Sequence, residues 1–415
     1  MARKVTIVLS LVLLTHAALA QTTLTLWRHE TGDEEMNENL AQIEAFNASQ
    51  DEWRIARETL PQGSYTESVT AAALASELPC IFDMDQPTVP NFAWAGHVAA
   101  LDEYISQEMI DDLTPGAFGT YQDQIYSLGQ FDVALALFGR RSVLEENGIR
   151  IATLEEPYTL EEFSEVLATL SEAEGFDYAF DINAGATGEW YSYAYSPWLQ
   201  SFGGDLIDRD SYLEAEGVLN GEEAVAFGEW FQALFEDGYA PASPPDDQSF
   251  VQGRVPLFYT GSWAIGSYTD AWGEDVVVMP PPDFGTGPKI GSGSWQWGIS
   301  STCENPEGAW AFIEFIMQPE QIAAMSDATS LIPTSEAAAV LTENYQEGGQ
   351  WRMFYDYAAN YAVPRPETPA YPFISSTFEQ AMLAIRDGGD VQDNLDDSVD
   401  AIEQNIDDNG GYGFE

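Results

Sequence analysis

The chain has 415 residues, enough for more than one hydrophobic core, and 45% of them are apolar, which excludes a wholly disordered acidic protein. Its 14 Lys and Arg stand against 69 Asp and Glu, a net charge of −55, which argues against nucleic acid or an anionic membrane as a partner. Lys4 and Lys289 are the only lysines, and such an excess of carboxylates is expected of a protein that works in high salt, where screening relieves self-repulsion.

Residues 1–20 read as a secretory signal peptide. Arg3-Lys4 supplies the basic start, "VTIVLSLVLL" the apolar segment and Ala18-Leu19-Ala20 the small-residue cleavage pattern. The apolar run is too short to span a bilayer. Cleavage would leave Gln21 first and 12 cations against 69 anions, or −57. Gln21 stands where a lipid-anchored protein would carry Cys, so a free, periplasmic protein is expected.

Candidate strands and helices then alternate. "TLTLW" has the two-residue strand period, and Met36, Leu40, Ile43 and Phe46 mark one face of a helix, with Thr31 and Glu34 as a capping box. "EWRIARETL" reads as a strand, "TESVTAAALASEL" as a helix and "CIFDMD" as a strand. This βαβαβ run predicts a parallel sheet with right-handed crossovers. "ALALFGR" is a strand, followed by a helix capped by Thr159 and Glu162 that buries Phe163, Val166, Leu167 and Leu170. "GEWYSYAYSPW" is read as extended, with Tyr191, Tyr193 and Tyr195 on one face. "EEAVAFGEWFQALFEDG" is a helix; "RVPLFYTG" and "EDVVVMPPP" are strands. Asn305-Pro306 opens another helix, and Val391, Leu395, Val399, Ile402 and Ile406 mark the last. The fold class is α/β with two sheets. In an oxidising compartment Cys80 and Cys303 are candidates for a disulfide, with two free thiols as the alternative.

In open parallel sheets ligands bind beyond the carboxyl ends of the strands. Trp27-Arg28-His29-Glu30, Asp83-Met84-Asp85 and Gly261-Ser262-Trp263 occupy such ends. In order and spacing, "LTLWRHETGDEEMNENLAQIEAFNAS", "DQIYSLGQFDVALALFGRRSVLEENGI", "SPWLQSFGGDLID", "FVQGRVPLFYTGSWAIGSY", "GSWQWGISSTCENPEGAWAFIEFIMQPEQ" and "LIPTSEAA" resemble the extracellular solute-binding proteins of carbohydrate ABC importers, the maltose-binding type. The resemblance runs across nearly all of the chain after residue 20. It implies a two-lobed fold with a cleft between lobes, each a mostly parallel sheet flanked by helices. Chain crossovers fall near residues 129–134 and 293–299, with a third further on. The N-terminal lobe would be residues 21–131 plus about 296–335, and the C-terminal lobe 132–295 plus about 336–415. The implied activity is capture of a sugar, most simply a disaccharide, and its delivery to membrane permease subunits. The protein would act as a monomer, without enzymatic activity, cofactor or metal.

A sugar offers C–H faces to aromatic rings and hydroxyls to polar groups, so a site pairs flat aromatics with Asp, Glu, Arg and amides. Trp263 matches the family's sugar-stacking position. Trp27, His29 and Glu30 lie in the first ligand loop, with Trp27 alternatively strand core. Asp85 is a candidate acceptor, or else part of a turn before Pro87. Asp132 falls at the first crossover. Trp190 and Tyr193 are preferred within the aromatic run, and Trp295 over Trp297 on its strand. Arg365 and Tyr371 sit where relatives contribute contacts from the last crossover. Two other ligand classes suit such a fold: a ferric ion held by neighbouring tyrosines, and a quaternary ammonium solute in an aromatic cage. An exported glycoside hydrolase is the remote alternative, because any two of 69 acidic residues could mimic its catalytic pair.

Overall fold

The computed structural model describes residues 21–414, and the expected signal peptide lies outside the described residues. In chain order the strands are β1 (Thr22–His29), β2 (Trp53–Leu60), β3 (Ile81–Asp85), β4 (Phe118–Tyr121) and β5 (Gln124–Leu128). They continue with β6 (Phe131–Asp132), β7 (Leu135–Arg140), β8 (Phe180–Asp181), β9 (Leu257–Gly261) and β10 (Val276–Met279). The last four are β11 (Ile290–Ser292), β12 (Trp295–Ile299), β13 (Ile332–Pro333) and β14 (Ala362–Pro364).

A six-stranded sheet runs β2-β1-β3-β12-β5-β4 and a four-stranded sheet β10-β7-β9-β8. The first holds the expected βαβαβ unit, in which β1 pairs in parallel with both β2 and β3 through the helices Asp33–Ser49 and Tyr65–Ala75. The sheets are mixed, not mostly parallel as the pattern implied. In the first, β12 arrives from the other lobe and is antiparallel to both β3 and β5. In the second only β8 and β9 are parallel. A strand that re-enters through a crossover arrives at the end where its neighbours finish, so it runs against them.

Each sheet has its own core. Leu24, Leu26 and Ile55 pack against Ile43, Phe46, Phe312 and Ile313 in the first lobe. Leu137, Phe180 and Tyr259 pack with Phe163, Trp198, Phe231, Ile374 and Ile402 in the second. Each such fully buried apolar side chain contributes about 1.5–3 kcal/mol. The Thr159–Glu162 capping box forms: the Thr159 hydroxyl accepts from the Glu162 amide, and the Glu162 carboxylate accepts from the Thr159 amide. The box expected at Thr31 does not, since the helix starts at Asp33 from Gly32 with no side-chain cap. "WYSYAY" is also a correction, because it lies in the helix Glu189–Phe202, not in an extended segment.

The lobes are joined where β6 pairs with β13 and β11 with β14. Asp132, 1% exposed, holds this junction together: its Oδ1 accepts from the amides of Val133 at 2.8 Å and Gly293 at 3.0 Å. Gly116 lets it approach, for a Cβ there would sit 2.0 Å from Asp132 Oδ2. Burial pushes the Asp132 carboxyl up to about 6 from an ordinary 3.8, against the two amides that favour its charge. In the folded state it therefore keeps its proton to higher pH than in the unfolded chain. Stability from this group is greatest below about pH 4 and falls as pH rises to about 6, by ~3 kcal/mol. Asp132→Asn, which keeps an acceptor for both amides, is expected to flatten the fall in melting temperature between pH 4 and 6. An unchanged pH profile in thermal unfolding would assign that slope to other carboxylates. Cys80, just before β3, and Cys303, just after β12, are joined in a disulfide.

Candidate functional site

A cavity of about 470 Å³ opens between the two lobes. His29, Thr31, Glu35, Gln62, Asp85 and Trp295 line it from the first lobe and Glu189, Trp190, Tyr193 and Trp263 from the second. Phe131, Val133 and Leu331 line it at the junction, and Arg365 just beyond β14.

The second-lobe wall is aromatic. Strand β9 ends at Gly261, a short 3₁₀ turn follows, and Trp263 emerges 43% exposed. Its indole lies back over the strand end, where a Cβ on Gly261 would stand 1.9 Å from the ring. Gly261 thus makes room for the ring. Its backbone (φ −96°, ψ 173°) is open to any residue, so the indole is what excludes a side chain here. Gly261→Ala is accordingly expected to leave the fold intact, turn the Trp263 ring out of place and weaken ligand binding about tenfold, as loss of one aromatic contact does. Titration of ligand against Trp fluorescence reads this directly, and an unchanged affinity would refute it. The ring centroid of Trp190 lies 6.4 Å from that of Trp263 at 75°, and that of Tyr193 6.2 Å away at 34°. In the helix Glu189–Phe202, the spacing i, i+1, i+4 turns Glu189, Trp190 and Tyr193 to the cavity. Tyr191 and Tyr195 turn into the core instead, donating to the carbonyls of Ala184 and Ile182.

The first-lobe wall is rigid. Trp295 pairs in register with Asp85, and its indole stacks on the His29 ring at 3.6 Å and 21°. His29 is 1% exposed, bonded through Nδ1 to Asp83 Oδ2 at 2.6 Å and through its amide to Asp83 Oδ1 at 3.2 Å. Tyr65 meets Trp295 edge-on and donates to the Asp83 carbonyl at 3.0 Å. Trp297, two residues further along the strand, lies deeper in the lobe, 4% exposed and packed in its core.

Arg365 joins the two walls. It is 4% exposed, grips Asp85 with two bonds (Nη1 to Oδ2 at 3.0 Å, Nη2 to Oδ1 at 2.8 Å) and donates from Nη1 to Glu189 Oε1 at 2.6 Å. Its guanidinium carbon lies 5.1 Å from the centre of the Tyr193 ring. Glu189 also accepts from Tyr371 Oη and, at 2.8 Å, from Ser375 Oγ.

Of the expected site residues, Trp263, His29, Asp85, Trp190, Tyr193, Trp295 and Arg365 therefore share one cavity. Four do not line it. Trp27 is half-buried against the cluster of Tyr65 and Phe82 and donates to Glu58 at 2.9 Å. Glu30 is exposed outside the cavity, its amide tied to the Leu60 carbonyl. Asp132 is spent on the lobe junction, and Tyr371, 1% exposed, stands behind Glu189. Glu189, Glu35, Gln62, Phe131 and Leu331 were not anticipated. A helical reading of "GEWYSYAY" would have grouped Glu189 with Trp190 and Tyr193. Among the described residues no three His, Cys, Asp or Glu are placed to hold a metal ion, and no helix is long and apolar enough to cross a membrane.

The model of the bacterial extracellular solute-binding protein family matches residues 41–352. The maltotriose-binding protein of Pyrococcus abyssi is 26% identical over 318 residues, which cover 73% of this chain and 64% of that relative. An uncharacterised lipoprotein of Streptomyces antibioticus is 22% identical over 294 residues, 67% of this chain and 63% of the relative. This chain thus spans under two thirds of the length of these curated relatives. Among solved structures, the cyclic α-maltosyl-1,6-maltose binding protein of Arthrobacter globiformis superposes with a TM-score of 0.78 at 23% identity, over 94% of this chain and all of that one. The GacH receptor of Streptomyces glaucescens does so with a TM-score of 0.80 at 20% identity, over 94% and 99%. These likenesses establish the two-lobed solute-binding fold, and the family match over residues 41–352 places the chain in the bacterial extracellular solute-binding protein family.

Proposed function

We propose that this protein captures a neutral-faced sugar of two or three rings between its lobes and delivers it to the permease of an ABC importer. The observation that carries the reading is the pairing of flat rings on facing walls, Trp263, Trp190 and Tyr193 against Trp295, with polar side chains between them. Rings bind the C–H faces of a sugar while Gln62, His29 and Thr31 offer partners to its hydroxyls. A cavity of about 470 Å³ is within the usual range for small-molecule sites. The relatives add support, since the Pyrococcus protein is named for maltotriose and the Arthrobacter protein for a cyclic maltosyl sugar. Binding proceeds without chemistry: a sugar touching both walls favours the closed arrangement by the contacts it gains there, and the closed form docks on the permease.

The protein is read as a periplasmic monomer adapted to high salt. Its melting temperature is therefore expected to rise steeply with KCl as its 69 carboxylates are screened, and a flat response would remove the salt-loving reading. A quaternary ammonium ligand is the second reading, favoured by the mutual approach of Trp190, Tyr193 and Trp263 within 6.4 Å. The ferric alternative has little support, because the Tyr191 and Tyr195 hydroxyls are bonded in the core. Thermal-shift screening of residues 21–415 in molar salt separates these. A ligand at a hundred times its Kd adds ~2.7 kcal/mol to stability. Sugars, betaine-like solutes and ferric ion each give a distinct answer.

A further inference from the structure

The cavity wall holds carboxylates in excess of cations, and the charge of its one lining guanidinium is already matched by two of them. Of the lining residues, Glu35, Asp85 and Glu189 are acidic and Arg365 alone is a cation outside histidine. Glu35 is neutralised from behind by Arg28, 2% exposed. Arg365 must answer both Asp85 and Glu189, and both of its terminal nitrogens are committed to them. Its Nε is buried with no hydrogen-bond partner. The triad spans the lobes, from the end of β3 to the start of the helix Glu189–Phe202, so anything bound in the cleft lies beside it.

Resting on the carbohydrate reading, we propose that Asp85 and Glu189 are specificity-determining residues that make the cleft a charge filter: by saturating Arg365 they leave the triad with one net negative charge and exclude acidic saccharides while admitting neutral ones. An acidic sugar would shed the water around its carboxylate and meet no unspent cation in exchange. It would also face two carboxylates already in place, and building repulsion against the wrong ligand is an effective way to discriminate. The surface charge of the protein repels anions as well, but molar salt screens that contribution, whereas charges in a partly closed cleft are screened far less. The filter is thus local to the triad.

Isothermal titration in molar salt tests this with maltotriose, cellotriose and mannotriose, each paired with a counterpart in which one ring carries a C6 carboxylate. The wild-type protein is expected to bind the neutral member of a pair at least about tenfold more tightly. Glu189→Gln or Asp85→Asn removes one of the two carboxylates and brings the triad from one net negative charge to zero, so each should narrow that ratio about fivefold or more, whatever happens to neutral affinity. A purely structural triad would change the melting temperature of the variants without moving the ratio. Equal or tighter binding of the acidic sugar by the wild type overturns the proposal, as does an unmoved ratio in both variants. If a variant does not fold, the wild-type ratio decides alone. Binding of no saccharide of either charge would bring down the carbohydrate reading and this inference with it, whereas preference for the acidic member would bring down the inference only.

Discussion

Replacing Trp263 with alanine is expected to weaken sugar binding by about thirtyfold or more, the effect of losing an aromatic hot spot worth at least ~2 kcal/mol. The residue is 43% exposed, so little packing is lost and the melting temperature should hardly change. Trp263→Phe keeps a ring over the Gly261 platform and should recover most of the affinity. Isothermal titration of wild type and both variants checks the order. Full affinity in the alanine variant would mean that the ligand lies elsewhere in the cleft or outside it.

The second large effect concerns the disulfide. Cys80 and Cys303 are 223 residues apart in sequence, and a closed loop of that length corresponds to about 5 kcal/mol of unfolded-chain entropy. The bond flanks β3 and β12, the adjacent central strands that carry Asp85 and Trp295 to the cavity. A Cys80→Ser, Cys303→Ser double variant should melt about 10 °C lower. It should also bind more weakly, because the wall that holds Trp295 against His29 loses its outer anchor. Thermal unfolding with and without reductant measures the first effect. No change in either condition would show that the sheet alone fixes these strands.

Much of the first lobe was legible because its βαβαβ unit is contiguous and each amphipathic helix declares its buried face locally. The position of β12 was not legible from pattern. It inserts beside β3 some two hundred residues later, and no local periodicity records a partner at that distance. "WYSYAY" misled because Trp and Tyr favour strands when taken one at a time, while tertiary packing set a helix. The same cause hid Glu189, whose place beside Trp190 and Tyr193 follows only from a helical repeat. In the site, His29, Asp85 and Trp263 could be found because they sit at strand ends, where open sheets bind ligands. Their neighbours Trp27 and Glu30 miss the cavity because Trp27 sits two residues further back along β1, away from the strand end, and Glu30 lies one residue past it, exposed. Asp132, expected near a crossover as a ligand residue, instead commits its carboxylate to the amides of Val133 and Gly293. Arg365 and Glu189 are 176 residues apart, and their pairing across the cleft is written in the fold alone.

The most direct test of the account is a thermal-shift screen in molar salt of wild type and Trp263→Ala, against neutral di- and trisaccharides, glycine betaine and ferric ion. The account predicts a shift of several degrees with at least one neutral saccharide, abolished in Trp263→Ala, and none with the other ligands. A shift with betaine or ferric ion and with no saccharide would contradict it.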